Sequence, residues 1–234
     1  MRYPSGNSLY RSAAVAVSLA AVGLVSPEPL DGQTRGIALR GGINLATFVG
    51  VDAPEGEPKP GLSLGASFQL INIGPVTIAP EVYYAQKGSI QNITAAAMDP
   101  TQSTLSQADL EFTLAYVEIP LLAIVHLPFG GKTFGPYLEG GPAFAWNLDC
   151  RVDLSGAESI EDTCDELFGE NIEATLKDYE LGFVVGLGTD IHLFGGMGAL
   201  NLDARLTQGL SRLSEDSEIA NQAFTLMLGY RFGF

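Results

Sequence analysis

The last thirteen residues read Gln222-Ala-Phe-Thr-Leu-Met-Leu-Gly-Tyr-Arg-Phe-Gly-Phe234, and every second side chain is apolar or aromatic. One face of this segment carries Phe224, Leu226, Leu228, Tyr230, Phe232 and Phe234, whereas Arg231 and two glycines lie on the other. A period of two is typical of a β-strand with two unlike faces. A wholly apolar and aromatic face predicts a transmembrane barrel strand, in which that face contacts lipid and the other lines the lumen. The alternative is the last strand of a soluble sheet.

The same segment contains a candidate assembly signal. Gly229, Phe232 and Phe234 have a spacing that resembles the C-terminal signal by which bacterial outer-membrane barrels are recognised for insertion. Met227 stands where a polar residue is usual, so the match is partial. These residues predict the barrel-assembly machinery as a partner, together with outer-membrane lipid.

Residues 1–33 are interpreted as a signal peptide with an approximate cleavage site. Arg2 and Arg11 supply positive charge, and residues 13–25 form an apolar run too short for a stop-transfer helix. No cysteine follows this run closely enough to carry a lipoprotein anchor. The alternative is a single membrane anchor for a soluble domain. The interpretation leaves residues 34–234 as one barrel domain.

Composition excludes one class of partner and suggests one covalent link. The net charge of −15 argues against nucleic acid, because binding to phosphates needs clustered Lys and Arg. The two cysteines, Cys150 and Cys164, lie in one acidic segment and are free to pair in an exported protein. Closing a loop of this length contributes about 3 kcal/mol in the chain-entropy model.

Eight segments with alternating character predict an eight-stranded antiparallel up-and-down transmembrane barrel. The connections between them alternate short and long, with short ones at 72–75, 128–133 and 194–198. Outer-membrane barrels have this rhythm of tight periplasmic turns and long extracellular loops. An even strand number places both termini in the periplasm of a Gram-negative bacterium. The predicted strands are 36–48, 61–71, 76–87, 110–127, 134–148, 178–193, 199–210 and 222–234.

Alternation also assigns side chains to the lumen. An eight-stranded barrel is just wide enough for side chains to fill it, so buried charges there must pair. A structural network of salt bridges is therefore favoured over a catalytic acid pair or an ion path, and no general porin is expected. The predicted lumen network is Arg40, Glu81, Glu118, Glu139, Glu180, Asp190, Asp203, Arg205 and Arg231. Aromatic residues near strand ends suggest two interfacial girdles, with Phe48, Phe144 and Trp146 at the long-loop side.

No residue pattern points to catalysis, a cofactor or a metal site. Barrel enzymes of the outer membrane place a histidine near the extracellular rim, where a base can serve a nucleophile. His126 and His192 instead fall at the short-turn ends of predicted strands. The acidic connection 149–177 has carboxylates that could bind Ca²⁺, but it lacks EF-hand spacing. A solvated loop closed by a disulfide is the preferred interpretation.

Several strand motifs together resemble the PorT-like outer-membrane β-barrel family. They are Gly41-Gly-Ile-Asn-Leu-Ala46, Tyr116-Val-Glu-Ile-Pro-Leu-Leu122, Gly135-Pro-Tyr-Leu-Glu-Gly-Gly-Pro142 and Asp178-Tyr-Glu-Leu-Gly-Phe-Val-Val-Gly-Leu-Gly188. The resemblance implies an eight-stranded barrel and, through one member, an accessory role in protein secretion. Three functions remain open: a non-enzymatic barrel with a structural or loop-mediated interaction role, a secretion component, and a barrel enzyme.

Overall fold

The computed structural model describes residues 36–96, 105–129, 131, 133–155, 160–164, 177–193, 198–213 and 218–233. The predicted signal peptide and Phe234 lie outside the described residues. Within them, no helix has the length and apolar character to cross a membrane. The strands are β1 Gly36–Val49, β2 Glu57–Gln69, β3 Ile71–Ile73, β4 Val76–Ala96, β5 Leu105–His126, β6 Phe134–Ser155, β7 Ile160–Thr163, β8 Tyr179–His192, β9 Ala199–Gly209 and β10 Ala220–Gly233.

Eight of these strands close into an antiparallel barrel. The sheet order runs β2, β1, β10, β9, β8, β6, β5, β4, and additional pairing between β2 and β4 closes the circle. β3 follows β2 after one residue and continues along the same neighbour, β4. β7 lies off this circle and pairs with β6. The predicted eight-stranded antiparallel barrel is therefore confirmed.

Three neighbouring strands are longer than the rest. β4, β5 and β6 have 21 or 22 residues, whereas β1, β2, β8, β9 and β10 have 11 to 14. Pairing of β2 with β4 ends where Glu57 lies opposite Ile90, and pairing of β6 with β8 ends where Trp146 lies opposite Tyr179. Beyond these points β4, β5 and β6 continue at the long-connection end, and β7 joins them. We call this four-stranded part the extension.

The extension corrects several predicted boundaries. The segments 76–87, 110–127 and 134–148 are each longer than predicted, and β7 lies inside the predicted connection 149–177. Gly88 was interpreted as the start of a loop, but it lies within β4 with φ of 145°. Its missing Cβ would lie 1.8 Å from the carbonyl oxygen of Phe112, so this close approach requires glycine. Beyond it neither face needs to contact lipid, and the apolar–polar alternation fades.

The two faces of the barrel differ as the alternation predicts. The outward face is covered with exposed apolar side chains, among them Leu39, Ile43, Leu181, Leu187 and Leu228. The inward face is polar and buried, and two tyrosines fill space above glycines of neighbouring strands. A Cβ on Gly65 would lie 2.4 Å from the Tyr83 ring, and one on Gly188 would lie 2.3 Å from the Tyr137 hydroxyl. The interior is therefore a packed core of polar and aromatic side chains.

Candidate functional site: the lumen and the extension

Arg205 of β9 is the centre of the first charged cluster in the lumen. Its guanidinium lies 2.5 Å from Glu81 of β4, 2.5 Å from Glu139 of β6 and 2.6 Å from Asp203. Arg40 of β1 lies 2.9 Å from the same Glu81. All five side chains are buried because inward-facing positions of four strands meet here. Ions removed from water need such pairing, since an unpaired buried charge is costly.

Hydrogen bonds connect this cluster to residues at the short-turn end of the barrel. The Tyr137 hydroxyl donates to Asp203 at 2.8 Å, and the Asn201 amide donates to Tyr137 and to Asp190, each at 2.8 Å. Arg231 pairs with the other oxygen of Asp190. A continuous network therefore runs from Arg40 in β1 to the start of the short turns.

A second charged cluster lies nearer the long connections. Lys87 of β4 contacts Glu118 at 2.5 Å and Glu180 at 3.9 Å. The Asn221 amide donates to Glu180 at 2.7 Å and to the Tyr116 hydroxyl at 3.2 Å. Lys87 is absent from the predicted lumen network, although it shares the parity of Glu81 and Tyr83 in the same strand. The period-two pattern of the segment 76–87 therefore places Lys87 on the inner face.

Apolar side chains close the lumen beyond this second cluster. Leu114, Tyr116, Ala145 and Leu213 form a buried cluster, and Phe48 and Ile219 pack against it. The Phe48 and Phe112 ring centroids are 6.3 Å apart. Phe48 was expected in an interfacial girdle, and this expectation is wrong because its parity is that of Arg40 and Asn44, which face inward. The cluster lies between the two charged clusters described above and the extension.

A disulfide links the two strands of the β6–β7 hairpin. Arg151 of β6 lies opposite Thr163 of β7, so Cys150 and Cys164 form the next opposed pair. Their sulfur atoms are bonded, and their Cα atoms are 5.5 Å apart. Cys150 also lies opposite Leu114 of β5, at the apolar cluster. The bond therefore closes the base of the hairpin, next to this apolar cluster.

The net charge of the chain is concentrated in the long connections and the strand ends beside them. Residues 50–60, 91–113, 147–178 and 210–220 contain 19 of the 27 Asp and Glu residues and 4 of the 12 Lys and Arg residues. The remaining sequence has eight of each sign. The whole net charge of −15 therefore belongs to these four ranges, while the two charged clusters of the lumen contain six acidic and four basic residues.

The nine predicted lumen residues all occupy the interior, in two groups. Glu118, Glu180 and the unpredicted Lys87 form one group, and the other seven belong to the Arg205 network. The least buried side chains are those of Glu118 and Arg231, each 12% exposed.

The remaining predicted residues lie at the short-turn end of the barrel. Gly229 lies beside Arg40, whose Cγ would be 2.6 Å from a Cβ, and Phe232 is exposed on the outward face. Phe234, the third residue of the predicted assembly signal, is outside the described residues. His126 and His192 end β5 and β8, and Thr77 contacts His126 at 3.3 Å. In the described ranges no group of His, Cys, Asp and Glu could hold a metal ion.

Comparison with known proteins finds similar solved structures and one family model. Solved structures similar to the chain include Ail of Yersinia pestis in complex with the heparin analogue sucrose octasulfate, with 12% identity, 86% of this chain and 100% of that chain covered, and a TM-score of 0.39. OprG of Pseudomonas aeruginosa gives 14% identity, coverage of 86% and 96%, and a TM-score of 0.42. The outer membrane enzyme PagL gives 10% identity, coverage of 85% and 99%, and a TM-score of 0.39. No curated protein matches the chain.

A family model for an outer membrane protein beta-barrel domain matches residues 29–215, which is most of the chain. The match includes strands β1 to β9 and both charged clusters of the lumen. The apolar outward face of the barrel is consistent with contact with membrane lipid. The chain belongs to the outer membrane protein beta-barrel domain family.

Proposed function

We propose that this protein is a non-enzymatic outer-membrane barrel that acts through its extension and long connections. The lumen supports this proposal because two paired charge clusters and an apolar cluster occupy the space that a general porin leaves open to water. Buried ion pairs contribute more to a specified structure than to transport. The barrel then serves as a rigid base, and its activity belongs to the parts outside the membrane.

The proposed orientation places both termini in the periplasm of a Gram-negative bacterium and the extension at the cell surface. The short connections lie at the end where β1 begins and β10 ends. The strand ends that flank the long connections lie at the other end, and the four ranges around these connections have a net charge of −15. This division has the pattern of outer-membrane barrels, with short periplasmic turns and long extracellular loops.

The extension is the single observation that carries the proposal. Nine residues of β6, from Asn147 to Ser155, continue beyond the pairing with β8. At about 3.3 Å per residue they rise about 30 Å. The disulfide between Cys150 and Cys164 fixes the hairpin at its base. A loop without a binding role gains nothing from an ordered sheet of this height, whereas a binding surface gains rigidity and a lower entropic cost of association.

The test is affinity purification from native outer membrane with chemical cross-linking. A variant replaces residues 150–164, which contain β7 and both cysteines, with a short turn. We expect the full protein to capture a specific partner and the shortened protein to lose it while its barrel still shows heat-modifiable gel mobility. Equal capture by both proteins would contradict the proposal.

An accessory role in protein secretion is a second candidate, supported by the PorT-like motifs in β1, β5, β6 and β8. In this role the barrel acts through its periplasmic turns, and barrel-assembly machinery inserts it. Deletion of the gene distinguishes the two candidates. Secreted proteins that accumulate in the periplasm support the secretion role, whereas unchanged secretion with loss of a surface interaction supports the first proposal.

A further inference from the structure

A groove crosses the outer wall of the barrel over β1, β10, β9, β8 and β6, with a volume of about 700 Å³. It exists because small side chains occupy outward positions that carry leucine or isoleucine elsewhere. Gly41, Ala204 and Thr189 leave the backbone beneath them uncovered. The walls are formed by Leu187, Leu202, Leu226 and Leu228.

The strand register explains the shape of the groove. Ala204 of β9 lies directly between Leu226 of β10 and Leu187 of β8. One methyl group is therefore flanked on both sides by longer side chains. On the adjacent row, Leu202 pairs with Thr189, and Thr189 pairs with Pro136 of β6. Ala204 and Thr189 are the short side chains of these two rows. They are diagonal neighbours on β9 and β8, so the spaces above them form one depression across the strands.

The groove lies in the half of the barrel near the short turns. Thr189 is three residues before the end of β8 at His192, and Leu202 is three residues after the start of β9 at Ala199. In the orientation proposed above, this half contacts the periplasmic leaflet, whose lipids are phospholipids. The assignment of the leaflet therefore rests on the proposed function.

We infer that the groove holds one acyl chain of a phospholipid from the periplasmic leaflet. Its volume is within the range of about 300–1,000 Å³ that is usual for small-molecule sites, which are mostly apolar with few polar groups. The outward leucines beside it are exposed to the hydrocarbon of the membrane, so a lipid chain is the molecule present at high concentration. A chain in the groove contacts the floor and both walls, and these added dispersion contacts retain it longer than lipids on a smooth surface.

Thr189 gives the site a direction. It lies opposite Pro136 at the end of the groove nearest the short turns, and its side chain carries a hydroxyl group. The glycerol ester of a periplasmic-leaflet phospholipid lies at that depth, while its chain extends toward Ala204 and Gly41. The opposite end of the groove is lined only by apolar side chains and backbone.

The test replaces small side chains of the groove with leucine and measures how much lipid the protein retains. Purified folded protein in detergent is titrated with phosphatidylethanolamine that has saturated chains, and native mass spectrometry measures the bound fraction. We expect Ala204→Leu to weaken retention about tenfold, which corresponds to about 1.4 kcal/mol. Thr189→Leu is a second variant with the same expected direction. Ala66→Leu is the matched control, because Ala66 also faces outward but lies on β2, away from the groove.

Each outcome decides the inference. The inference is supported if Ala66→Leu retains phosphatidylethanolamine and Ala204→Leu loses it, while heat-modifiable mobility shows that both barrels are folded. Equal retention by all variants overturns it, and so does equal loss by Ala66→Leu. Preferential retention of lipopolysaccharide overturns the phospholipid assignment. A dimer that Ala204→Leu dissociates would show instead that a second copy covers the groove. None of these results depends on capture of a partner by the extension.

Discussion

Arg205 is the residue on which the largest number of buried charges depends. It contacts Glu81, Glu139 and Asp203, and Arg40 also pairs with Glu81. Removing one partner of a buried ion pair leaves an uncompensated charge, which costs more than the pair itself contributes.

We expect Arg205→Met to lower the free energy of unfolding by about 3–5 kcal/mol. The measurement is equilibrium unfolding by urea in lipid vesicles. Arg151→Met is the control, because its pair with Asp149 is exposed and worth about 0–1 kcal/mol. Adding Glu139→Gln to Arg205→Met should restore part of the loss, since the two residues are coupled. A loss in Arg205→Met no larger than in Arg151→Met would contradict this view of the lumen.

Trp146, the single tryptophan, reports the depth of the membrane boundary. It faces outward beside Phe144, at the last pairing of β6 with β8. Aromatic rings at this position favour the lipid interface. We expect lipids brominated near the headgroup to quench its fluorescence more strongly than lipids brominated at the chain end. Stronger quenching from the chain end would place the extension inside the bilayer.

The two histidines test the proposal that the protein is not an enzyme of the outer-rim histidine type. His126 and His192 lie at the short-turn end, away from the extension. We expect the double variant His126→Ala, His192→Ala to retain the wild-type phenotype. Loss of that phenotype in a folded barrel would favour an enzyme.

Among the elements, the β6–β7 hairpin is the one that a covalent bond closes. The disulfide between Cys150 and Cys164 closes the segment from Arg151 to Thr163, and the barrel below has its own complete ring of pairings. Reduction therefore releases the hairpin and leaves the barrel closed.

We expect the double variant Cys150→Ser, Cys164→Ser to show faster amide hydrogen exchange in residues 151–163. The exchange in β8, β9 and β10 should remain as in the wild type, because their partners are unchanged. Heat-modifiable mobility should also be retained. Loss of the folded barrel would show that the disulfide supports the whole molecule.

The strands that contact lipid were predictable from the sequence, and the extension was not. In β10, every second side chain from Phe224 to Phe232 is apolar or aromatic. This alternation is what a strand requires when one face contacts lipid and the other lines the lumen. Gly88 interrupted the same reasoning in β4, because glycine is typical of turns and loops. The residues after it form strand through pairing with β5, and pairing between distant segments is not visible in local alternation.

The charged residues of the lumen were predictable individually, but their grouping was not. Parity placed Arg205 and Glu81 inside, although 124 residues separate them in the chain. Their contact depends on the stagger of strands around the barrel, which sequence alternation leaves undetermined. Lys87 was also predictable from the sequence, because it has the same parity as Glu81 in the predicted strand 76–87.

At the scale of the whole molecule, the filled interior predicts electrical behaviour. Paired side chains occupy the lumen, and the apolar cluster around Leu114 closes one end. We expect planar bilayer recordings to show no stable conductance of general-porin size. A steady open channel of that size would contradict a side-chain-filled barrel.

The end of the chain predicts an effect on assembly. Phe232 faces outward, and Phe234 continues the same parity at the terminus. A barrel whose last strand is not recognised has unpaired backbone groups that lipid cannot satisfy. We expect deletion of Phe234 to cause loss of the protein from the outer membrane, measured by fractionation and heat-modifiable mobility. Normal yield of folded protein would show that this phenylalanine is not an assembly signal.

The concentration of charge at one end of the barrel has a consequence for the kinetics of insertion. In the proposed orientation, each molecule moves four segments with a net charge of −15 through the hydrocarbon before the barrel closes. Charged groups cross a bilayer at high cost, so this transfer sets a barrier that the finished structure does not reveal. We expect spontaneous insertion into vesicles to be slower with anionic than with zwitterionic lipid, and added salt to reduce the difference by screening. In the proposed orientation, these four acidic segments are thus the slowest part of the chain to reach the cell-surface side of the membrane.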